Sequence, residues 1–280
     1  MHVRVWGCRG SIATPGADTI GYGGNTSCVQ VRTEQGVVIL DAGTGLRPLG
    51  VELQRDPPAR VDLLLSHLHV DHVEGLGAFA PIWSASTELH VWGPASPVRS
   101  LEQRIATYFS PPLFPVHLSD VPATVVCHDA PEHGAWELAG LRISSQPIRH
   151  QGPAVGFRLE GDDATLAYLT DHEPGLGIDL ATASADWISG HALAFGADVL
   201  FHDCQYTEQE YADRVGWGHS STAQVATFAE RAKVDRLLLF HHDPMHTDAD
   251  VERIRDRVRA LWEVGADRCD AAAEGMAFDL

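Results

Sequence analysis

The sequence of 280 residues has no cysteine pair at CxxC spacing, no block of basic residues and no long apolar run. Its five cysteines are odd in number and widely separated, which argues against a disulfide framework. The first ten residues lack the apolar core of a signal peptide, and no stretch reaches the roughly 18 apolar residues of a membrane span. These absences predict a cytoplasmic protein with reduced thiols and no membrane partner.

Acidic residues outnumber basic ones, with 38 Asp and Glu against 20 Lys and Arg, so the formal net charge is -18. A field of this sign repels phosphate polymers, which disfavours long nucleic acid as a partner. The chain also has no linker, low-complexity segment or internal repeat. We therefore predict a single domain over residues 1–280, large enough to bury a sizeable core.

The hydrophobic pattern predicts an α/β fold. The first half contains mostly short strands joined by Gly and Asp turns, with a short helix predicted at Val73–Phe79. The second half alternates between strands, at Val199–His202 and Arg236–Phe240, and helices, at Ser221–Ala232 and Asp248–Leu261. This order predicts sheets that are covered by helices on their outer faces.

Histidine is abundant, with 16 residues, and its densest cluster directly follows the apolar strand predicted at Val61–Leu65. The stretch SHLHVDH places His67, His69, Asp71 and His72 within six residues. Imidazole and carboxylate groups suit zinc, and manganese or iron is chemically compatible with them. The alternative is a chance cluster of polar turn residues. We favour a metal site because four such groups at this spacing can serve two ions from one turn.

This HxHxDH stretch resembles the motif of the metallo-β-lactamase-fold hydrolases. The resemblance implies an αββα sandwich, in which two mixed sheets pack face to face with helices outside, and two divalent ions. Later strand ends fit the family's remaining ligands. The implied sets are His67, His69 and His150 for one ion, Asp71, His72 and His241 for the other, and Asp171 between them. His242 is the rival of His241. Asp41 ends another strand, either supporting the ligands or capping a helix.

The segment Gly216–Ser221 resembles the HST-type motif of the phosphodiesterase branch of this family, which includes ribonuclease Z. The resemblance implies that His219 acts on the phosphate as a general acid, whereas the alternative is a plain turn or helix-start residue. Asp203 fits, more loosely, the acid that orients this histidine, and Asp71 completes the implied catalytic set. Cys204 is disfavoured as a zinc ligand because Asp171 already fills the bridging position.

Two further observations bear on the substrate. The chain has no Gly/Pro-rich basic arm such as ribonuclease Z uses to clamp tRNA, and the segments Gly7–Ser11 and Gly23–Cys28 resemble bacterial phosphonate-pathway or cyclic-nucleotide phosphodiesterases. We therefore predict hydrolysis of a small anionic phosphodiester such as a cyclic nucleotide, by a metal-bridging hydroxide with His219 as acid.

The alternatives are a tRNA 3′-processing endonuclease, an acyl hydrolase (lactonase, glyoxalase II-like or β-lactamase) and a non-catalytic metal scaffold. The branch is compatible with a homodimer. The roles of His172, His202 and Trp217 stay open.

Overall fold

The computed structural model describes residues 1–280 and contains fourteen strands and six α-helices. The strands are β1 (His2–Gly7), β2 (Cys28–Thr33), β3 (Gly36–Leu40), β4 (Arg60–Leu64), β5 (Glu88–Gly93), β6 (Thr124–Asp129), β7 (Trp136–Leu138), β8 (Leu141–Pro147), β9 (Val155–Glu160), β10 (Thr165–Leu169), β11 (Val199–Asp203), β12 (Arg236–Phe240), β13 (Cys269–Ala271) and β14 (Ala277–Asp279). The helices are α1 (Leu46–Leu53), α2 (Leu101–Tyr108), α3 (His191–Ala194), α4 (Glu208–Ala212), α5 (Thr222–Ala232) and α6 (Asp248–Leu261).

The strands form two seven-stranded mixed sheets. The first has the order β14-β1-β2-β3-β4-β5-β6 and the second the order β13-β12-β11-β10-β9-β8-β7. Strands β3 to β6 are parallel, and so are β10 to β13, whereas the remaining neighbours are antiparallel. In each parallel part the carboxyl ends of the strands lie at one edge of the sheet. Side chains that follow those strands are therefore brought together.

Three apolar clusters account for the layering. One lies between the sheets and contains residues of both, including Val5 and Leu40 from the first and Phe157 and Phe240 from the second. A second cluster joins the first sheet to α1 and α2, and a third joins the second sheet to α3, α5 and α6. Strands buried on both faces read as nearly continuous apolar runs, as in β12. The predicted sandwich, with two mixed sheets inside and helices outside, is confirmed.

The structure corrects some local predictions. The helix predicted at Val73–Phe79 is replaced by the 3₁₀ turn Glu74–Ala78, which follows another 3₁₀ turn at Val70–His72. The chain at Gly75 passes directly against the turn at Gly43, because a Cβ on Gly75 would lie 2.0 Å from the carbonyl oxygen of Gly43. This contact explains part of the difference from a regular helix. The short helix α4 and the strands β13 and β14 were not predicted. None of the helices combines the length and apolar character that crossing a membrane requires.

Candidate metal centre and acid site

The predicted site residues lie at the carboxyl ends of strands from both sheets. Asp41 follows β3, the segment Ser66–His72 follows β4, Asp171 follows β10 and His241 follows β12. Asp41, Asp171 and His241 each have a positive φ, of 60°, 50° and 59°. L-residues adopt this conformation at a cost, and here it turns each side chain at a strand end toward the same place.

The first cluster consists of His67, His69, His150 and Asp171, whose ligand atoms all lie within 4.8 Å of one another. The Oδ2 atom of Asp171 is 3.6 Å from Nε2 of His67 and 3.9 Å from Nε2 of His150. Nε2 of His150 and Nδ1 of His69 lie closer still, 3.2 Å apart. Three imidazoles and one carboxylate oxygen therefore converge on one point.

The second cluster consists of Asp71, His72, Asp171 and His241 and is fully buried. Oδ1 of Asp171 lies 3.1 Å from Nε2 of His72 and 3.2 Å from Nε2 of His241. Oδ2 of Asp71 lies 3.2 Å and 3.1 Å from the same two nitrogens. Asp171 thus directs one carboxylate oxygen into each cluster, the position between two ions that the family resemblance implies.

These distances fit divalent ions. A tetrahedral site with bonds of about 2.0 Å places neighbouring ligand atoms about 3.3 Å apart, close to the spacing in the second cluster. The Nε2 atoms of His72 and His241 approach to 3.4 Å. In the first cluster, Nε2 of His67 is buried without any hydrogen-bond partner. A cation between these atoms would satisfy all of them, so both clusters are able to bind metal ions.

The outer nitrogens of three candidate ligands are held by acceptors. Nδ1 of His72 donates to Oδ2 of Asp41 at 2.8 Å, Nδ1 of His150 to the carbonyl oxygen of Gly218 at 2.9 Å, and Nδ1 of His241 to Oε1 of Gln205 at 3.2 Å. Such bonds fix the tautomer that leaves Nε2 free to bind a cation.

The carboxylate of Asp41 organises the turn that carries the HxHxDH residues. Besides His72, it accepts hydrogen bonds from the backbone N–H and hydroxyl of Ser66, at 2.7 and 2.9 Å, and from the hydroxyl of Tyr168, at 2.9 Å. Helix α1 begins after Gly45 and has no side-chain cap. The helix-cap alternative for Asp41 is therefore wrong, and its contacts are those of a residue that supports the ligand turn.

The electrostatics of the clusters favour bound cations. Burial holds the pKa of His67 well below its usual value, which keeps its imidazole in the neutral form that metals bind. At His72 burial also opposes a charge, but the carboxylates of Asp171, Asp71 and Asp41 raise the pKa well above its usual value. The surroundings of that ring therefore favour positive charge, which an ion would supply.

The third group joins His219 to Asp203 beside the second cluster. Nδ1 of His219 lies 2.6 Å from Oδ2 of the fully buried Asp203, whose other oxygen accepts the backbone N–H of Ser220 at 2.9 Å. The ring of His219 is stacked on that of His241, with centroids 5.1 Å apart. Burial lowers the pKa of His219, but Asp203, with smaller contributions from Asp171 and Asp71, raises it to about 9.

Comparison with known proteins agrees with this fold. The family model described as the β-lactamase superfamily domain matches residues 37–242. The chain belongs to the β-lactamase superfamily. A ribonuclease Z from Mycobacterium sp. (strain KMS) is 29% identical over 198 residues, which cover 65% of this chain and 65% of that relative. The chain thus matches under two thirds of that relative's length. The predicted resemblance to this family is confirmed.

Two solved structures have the same fold as this superfamily member. The metallo-β-lactamase-fold protein YhfI from Bacillus subtilis aligns with a TM-score of 0.70 at 17% identity and covers 99% of both chains. A diphosphatase from the PhnP family aligns with a TM-score of 0.70 at 17% identity and covers 100% of this chain and 97% of its own. These likenesses concern the fold alone.

Other predicted residues of this β-lactamase-superfamily chain lie outside the two clusters. Nε2 of His242 lies 2.8 Å from the carbonyl oxygen of Ala272, so it is His241 that enters the cluster. Cys204 packs in the apolar core behind the site. His172 and His202 form a buried pair, 3.0 Å apart. Trp217 is 56% exposed.

Sequence reasoning missed three residues that hold the site in place. Tyr168 and Gln205 support Asp41 and His241, as described above. The carboxylate of Glu173 is fully buried and accepts the backbone N–H groups of Gly216 and Gly218, each at 2.8 Å. A carboxylate two residues after Asp171 was the available signal for Glu173. The apolar strand around Tyr168 gave none.

Proposed function

We propose that this chain is a binuclear metal-dependent phosphodiesterase that hydrolyses a small phosphodiester such as a cyclic nucleotide. The observation that carries the proposal is the 2.6 Å hydrogen bond between His219 and Asp203, directly beside the second cluster. Hydrolysis of a phosphodiester releases an alkoxide, which needs a proton. An imidazolium that a buried carboxylate keeps charged meets this need.

The first and second clusters would hold the two ions, with Zn²⁺ the proposed ion and Mn²⁺ or Fe²⁺ the alternatives. Bound divalent ions lower the pKa of water and offset charge on a phosphoryl oxygen. The chain's own contribution is to position that charge: Asp171 spans the clusters, and Asp71 is fixed by the backbone N–H of Ser11 at 2.7 Å.

His219 would deliver the proton from Nε2. Its Nδ1 is engaged by Asp203, which leaves the opposite nitrogen to face the substrate. The stacking on His241 keeps the ring next to the ions, where the leaving oxygen of a bound phosphodiester would lie. Asp203 acts through His219 and would not touch the substrate.

A tRNA 3′-processing activity is the second candidate, because the ribonuclease Z relative shares 29% identity with this chain. The net charge of -18 speaks against it, since binding to a long polyanion depends on basic side chains. A small anion needs only the charge of the ions and a few neighbouring groups. We therefore favour the small substrate, in a cytoplasmic setting.

The test is a substrate panel with zinc- and manganese-loaded protein. It contains a cyclic mononucleotide, bis-p-nitrophenyl phosphate, a precursor tRNA, a lactone and a β-lactam, and it compares His219→Ala with His117→Ala. His117 is exposed and lies outside the site, so it is the matched control.

We expect turnover of the cyclic nucleotide, loss of roughly 10²- to 10⁴-fold in kcat for His219→Ala, and no loss for His117→Ala. Hydrolysis of only the acyl substrates, with full activity in His219→Ala, would overturn the proposal. Hydrolysis of only the precursor tRNA would replace it with the second candidate.

A further inference from the structure

A group of aromatic and cationic side chains lies next to His219. The ring of Tyr206 meets the ring of His219 edge-on, at 90°, with centroids 5.8 Å apart. The guanidinium of Arg214 lies 5.2 Å from the centroid of the Tyr206 ring and 5.8 Å from that of Trp217. These side chains form a continuous series from His219 to the exposed indole of Trp217. His241, the candidate metal ligand, is stacked on His219 and does not belong to this series.

The turn that carries this series is held rigidly. Glu173 accepts the backbone N–H groups of Gly216 and Gly218, so both residues flanking Trp217 are fixed by one buried carboxylate. The backbone N–H of Trp217 donates to the carbonyl oxygen of Arg214 at 3.0 Å. The backbone position of Trp217 is therefore set by the fold.

Exposure of a large indole on such a turn leaves apolar surface uncovered. The guanidinium of Arg214 donates to the carbonyl oxygen of Glu210 at 2.9 Å and has no carboxylate within ion-pair distance, although the chain is strongly acidic. The guanidinium is attracted to the indole ring at this distance, which helps to hold the ring in place. The base of a nucleotide could thus stack on Trp217 while the phosphate of the same nucleotide lies at the ions.

We propose that Trp217, backed by Arg214, is the specificity-determining subsite for the nucleobase of a nucleotide substrate, on the leaving-group side of His219. This inference rests on the proposed function and adds the substrate class to it. A base stacked on an aromatic side chain contributes affinity with little dependence on which base it is. The subsite would therefore select nucleotides over base-free phosphodiesters.

The experiment compares two cyclic phosphodiesters, adenosine 2′,3′-cyclic phosphate and glycerol 1,2-cyclic phosphate, which share the reacting ring and differ in the nucleoside. The variants are Trp217→Ala, Trp217→Phe and Val215→Ala. Val215 lies on the same turn and has the same 56% exposure as Trp217, so its truncation measures any disturbance of the turn.

We expect Trp217→Ala to raise KM for the adenosine compound about tenfold or more and to leave KM for the glycerol compound within about twofold. Trp217→Phe should restore most of the selectivity, and Val215→Ala should behave as wild type. An equal change for both compounds, no change for either, or a selective loss in Val215→Ala would overturn the subsite.

A binding measurement separates this inference from the proposed function. Calorimetric titration of the metal-loaded protein with adenosine 5′-monophosphate and with ribose 5-phosphate needs no turnover. We expect wild type to bind the adenosine compound about tenfold more tightly, and Trp217→Ala to bind the two alike. This result would support the subsite even if neither cyclic phosphate is hydrolysed. Equal binding of both compounds by wild type would refute it.

Discussion

Replacing Asp203 with Asn tests how the acid is charged. The substitution keeps the size of the side chain and its acceptor oxygen for the backbone N–H of Ser220, but removes the negative charge 2.6 Å from Nδ1 of His219. Asp203 contributes most to raising the pKa of His219 from 6.5 to about 9, against the opposing effect of burial. Without that charge, we expect the pKa to return to its ordinary value or below.

The magnitude follows from the fraction of His219 that carries a proton. At pH 8, a group with a pKa of about 9 is about 90% protonated, whereas one with a pKa of about 6.5 is about 3% protonated. Since the proposed acid acts in its protonated form, activity should fall as pH rises through this pKa. The basic limb of the kcat profile should therefore move to lower pH by about 2.5 units, with a loss of about 30-fold at pH 8.

Two substrates distinguish this effect from a structural one. A cyclic nucleotide releases an alkoxide that needs the proton, whereas bis-p-nitrophenyl phosphate releases a phenolate that leaves without it. We expect Asp203→Asn to lose activity mainly toward the cyclic nucleotide. Asp198→Asn, just before the opposite end of the same strand, is the control. Equal losses on both substrates, or an unshifted basic limb, would refute the reasoning.

The remaining predictions concern metal content and stability. His241→Ala should lower the metal bound per chain from about two ions to about one, as measured by plasma mass spectrometry, because the first cluster keeps all four of its residues. Asp41→Asn should lower the free energy of unfolding by about 3 kcal/mol in urea titrations, since four hydrogen bonds to a buried charge are weakened. Gly218→Ala should cost more than Gly216→Ala in the same assay. Both glycines have positive φ, so alanine at either position should lower the free energy of unfolding by about 1 to 2 kcal/mol. Only at Gly218 would the new Cβ also lie 2.2 Å from Nδ1 of His150.

The fold could be predicted from sequence where the signal was local and repeated. The β12 run is apolar after Arg236 because both of its faces are covered, and its identity as a strand was evident. The helix predicted at Val73–Phe79 failed because its geometry depends on a distant turn at Gly43. Helix α4 was missed because it has five residues, although its Thr207 and Glu210 form a capping box.

The site divides in a similar way. Spacing alone pointed to the HxHxDH residues, because one turn carries all four. His150, Asp171 and His241 came from the family resemblance, since they are distant in sequence and meet only through sheet topology. The position directly after β12 favours His241 over His242 in the sequence as well, whereas the positive φ of His241 is evident only in the fold. Supporting residues such as Tyr168 resemble ordinary core positions until the fold brings them near Asp41.

The division of each cluster between the sheets has a mechanical meaning. In the first cluster His67 and His69 come from the first sheet, and His150 and Asp171 from the second; the second cluster is divided in the same way. An ion bound at either place would be a crosslink between the two halves of the chain. Resistance to unfolding should then rise with free metal concentration by mass action, and chelation should lower it.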